Sequence, residues 1–101
     1  MTREEAQEIL EESNPEALFM DGFDDAILGI AERPNLGPVV AYDEDKIIEI
    51  LSKQMEVDPE DLDDRTEDDI KLEMALDYYG YNIKSTWMGE GTPIIISRNF
   101  Y

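Results

Sequence analysis

Ala26-Ile27-Leu28-Gly29-Ile30-Ala31, then Glu32-Arg33-Pro34-Asn35-Leu36-Gly37, then Pro38-Val39-Val40-Ala41-Tyr42 is the stretch that decides the fold class. Two short apolar runs flank a segment dense in turn formers, which predicts a β-hairpin with strands at 26–31 and 38–42. Asp43 follows where a helix N-cap belongs, with Glu44 and Asp45 in the positive first turn. Ile47, Ile48, Leu51 and Met55 recur at helical spacing, so a helix is expected from about Asp43 to Gln54.

On the N-terminal side, Thr2-x-x-Glu5 has the form of a capping box. It opens a helix with Ala6, Ile9 and Leu10 on one side, and Asn14-Pro15 should end it. Asp21-Gly22-Phe23 reads as a turn leading into the first strand.

On the C-terminal side, Val57 to Arg65 forms an acidic connector containing Pro59. Thr66-x-x-Asp69 offers a second capping pattern. Leu72, Ala75, Leu76 and Tyr79 make an apolar stripe over 66–79, and Gly80 is the expected helix stop. Residues 94–97, Ile94-Ile95-Ile96-Ser97, read as a third strand.

The expected class is therefore α+β: a small three-stranded, mainly antiparallel sheet packed against two to three helices. The 101 residues are read as a single domain, in which the N-terminal acidic helix, within 1–18, lies across the sheet or stands apart.

Composition narrows the chemistry. The chain has neither cysteine nor histidine, so disulfides, thiolate zinc sites and Ser-His or Cys-His nucleophiles are excluded. Its longest apolar run is too short for a membrane span, and Met1-Thr2-Arg3-Glu4-Glu5 does not begin a secretory signal.

The net charge is −18, from 26 acids against 8 bases. Direct binding to nucleic acid or to anionic membranes is disfavoured, and attraction to basic surfaces is favoured. The acids fall in two blocks. Residues 1–25 carry nine acids and one base, and 54–77 carry eleven acids and two bases.

Short motifs give little catalytic signal. An EF-hand count from Asp58 places Asp63 at the sixth position, where glycine is needed, and Asp69 at the twelfth, where glutamate is needed. A solvated acidic loop accounts better for this segment, and neither metal nor cofactor is expected. Met88-Gly89-Glu90-Gly91-Thr92-Pro93 lacks the Gly-Lys-Ser/Thr ending of a phosphate loop and reads as a flexible turn before the last strand. With 26 acids, some carboxylate pair falls at any chosen separation by chance, so no general acid–base pair stands out and the chain is read as non-enzymatic. Tyr78, Tyr79, Tyr81 and Trp87, with Phe100 and Tyr101, are expected mostly in the core, since a small domain needs its large side chains for burial.

Two resemblances attach to these residues. Val57-Asp58-Pro59-Glu60-Asp61-Leu62 and Met74-Ala75-Leu76 to Gly80 resemble the acidic helices of acyl carrier proteins. The serine that those proteins modify is missing, with Thr66 at the matching place, so the likeness is one of acidic-helix composition. Asp21-Gly22-Phe23-Asp24-Asp25-Ala26 with Gly29-Ile30, then Val40-Ala41-Tyr42-Asp43 with Lys46 and Leu51, form a second pattern, continued by Tyr81-Asn82-Ile83 and Trp87 to Pro93. This order resembles a family of small bacteriophage-encoded acidic proteins without an established biochemical role. The resemblance covers about residues 19–53 and 74–96. It implies a phage origin and a setting in the host bacterial cytoplasm, and it supplies no catalytic residues.

The expected function is non-enzymatic binding to a basic host protein surface, such as that of a nucleic-acid-binding protein, with carboxylates standing in for phosphates as in a nucleic-acid mimic or inhibitor. The residues expected to carry it are Glu4, Glu5, Glu8, Glu11 and Glu12 in the first block, and Asp58, Glu60, Asp61, Asp63, Asp64, Glu67, Asp68 and Asp69 in the second. The alternative is a minor structural or assembly component of a phage particle. Oligomeric state is left open by the sequence.

Overall fold

Thr2 begins the first helix as its residue type demands. In the computed structural model, which describes residues 1–61 and 66–97, the Glu5 amide donates to Thr2 Oγ1 at 3.2 Å and the Thr2 amide donates to Glu5 Oε1 at 3.1 Å. This reciprocal box satisfies two amides at the helix start. Helix α1 runs Arg3–Ser13, and Asn14 ends it with its amide donating to the Leu10 carbonyl. Pro15 follows, which disfavours helical backbone at Asn14.

The hairpin pairs β1 (Ile27–Arg33) with β2 (Leu36–Asp43) antiparallel, Ile30 opposite Val40 and Arg33 opposite Leu36. The turn is tighter than the six-residue segment expected, because Pro34 and Asn35 alone reverse the chain. Asn35 has φ 62°, and proline followed by a positive-φ residue is the pattern of a type II turn. Such a turn splays the strands of a hairpin, and the register breaks between Ala31 and Arg33, where the irregularity absorbs the mismatch.

Strand β3 (Ile94–Ile96) adds to the other side of β2, giving the order β1-β2-β3. It runs parallel to β2, with Ala41 opposite Ile94 and Asp43 opposite Ile96, so the sheet is mixed. The direction follows from the connection. A hairpin returns antiparallel, whereas the chain from 44 to 93 carries two long helices, and a crossover of that kind delivers a parallel strand.

The chain forms two compact units. The first joins Met1–Lys46 to Trp87–Tyr101. Its core is β2, whose Val39, Val40, Ala41 and Tyr42 are all buried, as an apolar run covered on both faces should be. Helix α1 packs on β1 and β2, and its Ala6 and Leu10 are buried. Asn14 Nδ2 donates to the Pro38 carbonyl at 2.9 Å, which ties the helix end to the sheet.

Two polar anchors hold the segment between α1 and β1. Arg3 Nη1 lies 3.3 Å from Asp21 Oδ1 and 3.2 Å from Asp24 Oδ1, with its guanidinium over the Phe19 ring. The Met20 amide donates to the Tyr42 hydroxyl at 2.8 Å. The segment before β3 turns, as expected, over residues 89–91, and hydrogen bonds tie it at several points. Thr92 Oγ1 accepts from the Met88 amide and donates to the Gly89 carbonyl, both at 2.7 Å. Arg33 Nη2 donates to the Glu90 carbonyl, and the Leu18 amide donates to the Gly91 carbonyl.

The second unit, Ile47–Thr86, holds most of α2 (Glu44–Gln54) and all of α3 (Glu67–Asn82). Asp43 precedes α2, and its Oδ1 accepts from the Asp45 amide. Thr66 caps α3, its Oγ1 accepting from the Asp69 amide at 3.2 Å. The helix continues through Gly80 to Asn82, three residues past the expected end. Gly80 needs no left-handed backbone there. The terminus forms later, where the Ile83 and Lys84 amides both donate to the Tyr79 carbonyl.

Candidate functional site

The first-block glutamates form one surface. At 100° per residue, Glu4, Glu5, Glu8, Glu11 and Glu12 fall within about 120° of the helix circumference, opposite buried Ala6 and Leu10. All five are exposed. Docking of the apolar side on the sheet therefore turns the carboxylates outward as a stripe about 12 Å long.

Their electrostatic setting is unbalanced. The single base of residues 1–25, Arg3, lies on another side of the helix and is engaged by Asp21 and Asp24. Among the described residues, Glu4, Glu8, Glu11 and Glu12 have no ion-pair partner. Glu5 differs from these four, since its carboxylate accepts from the Thr2 amide and hydroxyl, bonds that hold its pKa below the ordinary value.

The second block has more local employment. Asp58 Oδ1 accepts from the Glu60 amide and so caps the 3-10 turn Pro59–Asp61, in which Asp61 sits. Glu67, Asp68 and Asp69 occupy the first turn of α3, where the helix dipole favours anions, and Glu67 pairs with Lys71 at 3.0 Å. Asp58, Glu60, Glu67, Asp68 and Asp69 are exposed. Asp63 and Asp64 lie outside the described residues. The two blocks fall in separate units, and of the two only α1 gathers its acids on one helical face.

Sequence reasoning misplaced the aromatics. Tyr79 is buried, but Tyr78 is 48% exposed, Tyr81 89% and Trp87 66%, and Phe100 and Tyr101 lie outside the described residues. The apolar stripe of α3 is likewise half right: Ala75 and Tyr79 are buried, while Leu72 and Leu76 are exposed. The missed signal was available in the sequence. Ile70, Leu72, Met74, Ala75, Leu76, Tyr78, Tyr79 and Tyr81 surround the helix, and one covering layer can hide only one side of it.

A shallow cleft of about 270 Å³ opens beside the end of α1, lined by Gln7, Leu10, Glu11 and Asn14 and by Ala17 and Phe19 beyond. It gathers one carboxylate, and its Asn14 amide is committed to Pro38. Among the described residues, no group of three or more acids converges as a metal ligand set, and no helix is long and apolar enough to cross a membrane. Comparison of the chain with protein-family models, curated proteins and solved structures gives no match in any of the three.

Proposed function

We propose that this protein acts by binding a basic surface on another protein, through the carboxylate stripe of α1. The observation that supports the reading is the convergence of Glu4, Glu5, Glu8, Glu11 and Glu12 on one exposed face, four of them without a cationic partner among the described residues. Four or five negative charges over about 12 Å of helix approach the spacing of about 3.4 Å per phosphate along one DNA strand. A surface built to receive a phosphate line is therefore a suitable partner, and the chain then competes with nucleic acid for it. On the resemblance to small phage proteins, the setting is the host bacterial cytoplasm and the partner a host protein.

The test compares capture of basic host proteins by the natural chain and by a variant carrying Glu4→Gln, Glu8→Gln, Glu11→Gln and Glu12→Gln. Capture should be lost in the variant and competed by added DNA. Equal capture by both would remove α1 as the binding element.

A further inference from the structure

We propose that the cleft beside the end of α1 receives an arginine side chain of the basic partner; this deepens the binding reading above and rests on it. At about 270 Å³ the cleft lies just under the usual range of small-molecule sites, which begins near about 300 Å³, and it suits one inserted side chain. Leu10, Ala17 and Phe19 give it apolar walls, and Gln7, Glu11 and Asn14 stand along one side of α1 at i, i+4 and i+7. At 100° per residue, Glu11 is the edge of the acidic arc nearest this row, so the cleft opens directly beside the carboxylate stripe.

Charge and hydrogen bonding select the occupant. The side chains of Gln7 and Glu11 have no hydrogen-bond or ion-pair partner among the described residues. Asn14 Nδ2 donates to the Pro38 carbonyl, which leaves its Oδ1 as an acceptor. The polar side of the cleft therefore offers a carboxylate and amide oxygens, which suit a group made only of donors. The helix itself sharpens the demand for a cation. Its last turn holds Glu11 and Glu12 and no base, at the negative end of the helix dipole. That placement disfavours the helix on its own, a local rule broken as it is at working surfaces, and a cation from outside relieves it. Guanidinium fits better than ammonium, because it is planar, less strongly hydrated and stacks on aromatic rings. Phe19 already bears one, the Arg3 guanidinium, 4.9 Å from its centroid. The charge of Arg3 is met by both Asp21 and Asp24, so the surroundings of the cleft stay negative.

The test titrates the full chain, labelled for amide NMR, with two Gly/Ser peptides of equal length, one carrying four arginines and the other four lysines. The arginine peptide should bind about threefold tighter or more, as a cation over an exposed ring contributes, and shift the Gln7, Glu11, Ala17 and Phe19 amides. Glu11→Gln and Glu12→Gln each remove one charge from the stripe, and neither should unfold a helix whose negative end loses an acid. Glu11→Gln should abolish the preference for arginine, whereas Glu12→Gln should lower the affinity for both peptides and keep the preference. Equal binding of the two peptides, or an equal effect of the two substitutions, would overturn the cleft and leave the α1 stripe standing. An arginine preference that survives Glu11→Gln would also overturn it. Binding of neither peptide would overturn the cleft as well, while the α1 reading is judged separately, by its own variant and its own partner.

Discussion

The Tyr42 hydroxyl accepts a hydrogen bond from the Met20 amide at 2.8 Å, which fastens the segment after α1 to the central strand. Tyr42 is fully buried, and burial raises its phenol pKa above the ordinary 10.0. The folded state thus resists ionisation. The stability tied to the neutral phenol is complete below pH 10 and is lost as pH rises through the higher folded value. Tyr42→Phe should cost about 1–2 kcal/mol near neutrality, because the Met20 amide loses its acceptor. Urea denaturation at a series of pH values checks both points. The gap between the two proteins should narrow above pH 10, and a gap constant with pH would contradict the assignment.

Gly91 and Gly80 should respond in opposite directions to alanine. A Cβ at Gly91 would overlap the Glu16 carbonyl oxygen, a backbone atom that cannot swing aside, so Gly91→Ala should destabilise by about 2 kcal/mol or more. At Gly80 nothing lies within 4 Å and the backbone is helical, so Gly80→Ala should stabilise by about 0.5–1 kcal/mol. Thermal and urea unfolding give both signs. Destabilisation at Gly80 would mean that α3 ends there after all.

The capping box at Thr2 predicts a titration shift. The hydrogen bonds from the Thr2 amide and hydroxyl keep the Glu5 carboxyl below its ordinary value of 4.5. A depressed folded pKa stabilises the fold above the unfolded value and loses that contribution as pH falls through the folded one. Thr2→Ala should raise the Glu5 value toward 4.5 and fray the first turn of α1, both visible by NMR titration. An unchanged Glu5 titration would show that the box does not persist in solution.

Much of the fold was legible because local rules fixed it. Thr2 with Glu5 and Asn14 with Pro15 bracket α1, Pro34-Asn35 closes the hairpin, and Thr66 opens α3. The direction of β3 was not local. It depends on a fifty-residue crossover (44–93) that no short window contains. The exposure of Tyr78 and Tyr81 was hidden for a related reason. Composition says that aromatics favour burial, but only packing decides which side of an apolar-all-round helix is covered. The α1 acids were legible as a line of charge. What the structure adds is their common arc and the engagement of Arg3 elsewhere.

Salt dependence follows from that exposure. Carboxylates in open solvent attract a basic partner through screened charge, and the screening length falls from about 10 Å at 0.1 M to about 3 Å at 1 M salt. The most direct measurement is the dissociation constant of the captured partner, taken across that salt range for the natural chain and for the variant with Glu4, Glu8, Glu11 and Glu12 changed to Gln. The account predicts steep weakening with salt for the natural chain, and a weaker, nearly flat response for the variant. Affinity indifferent to salt, or identical curves for the two proteins, would contradict it.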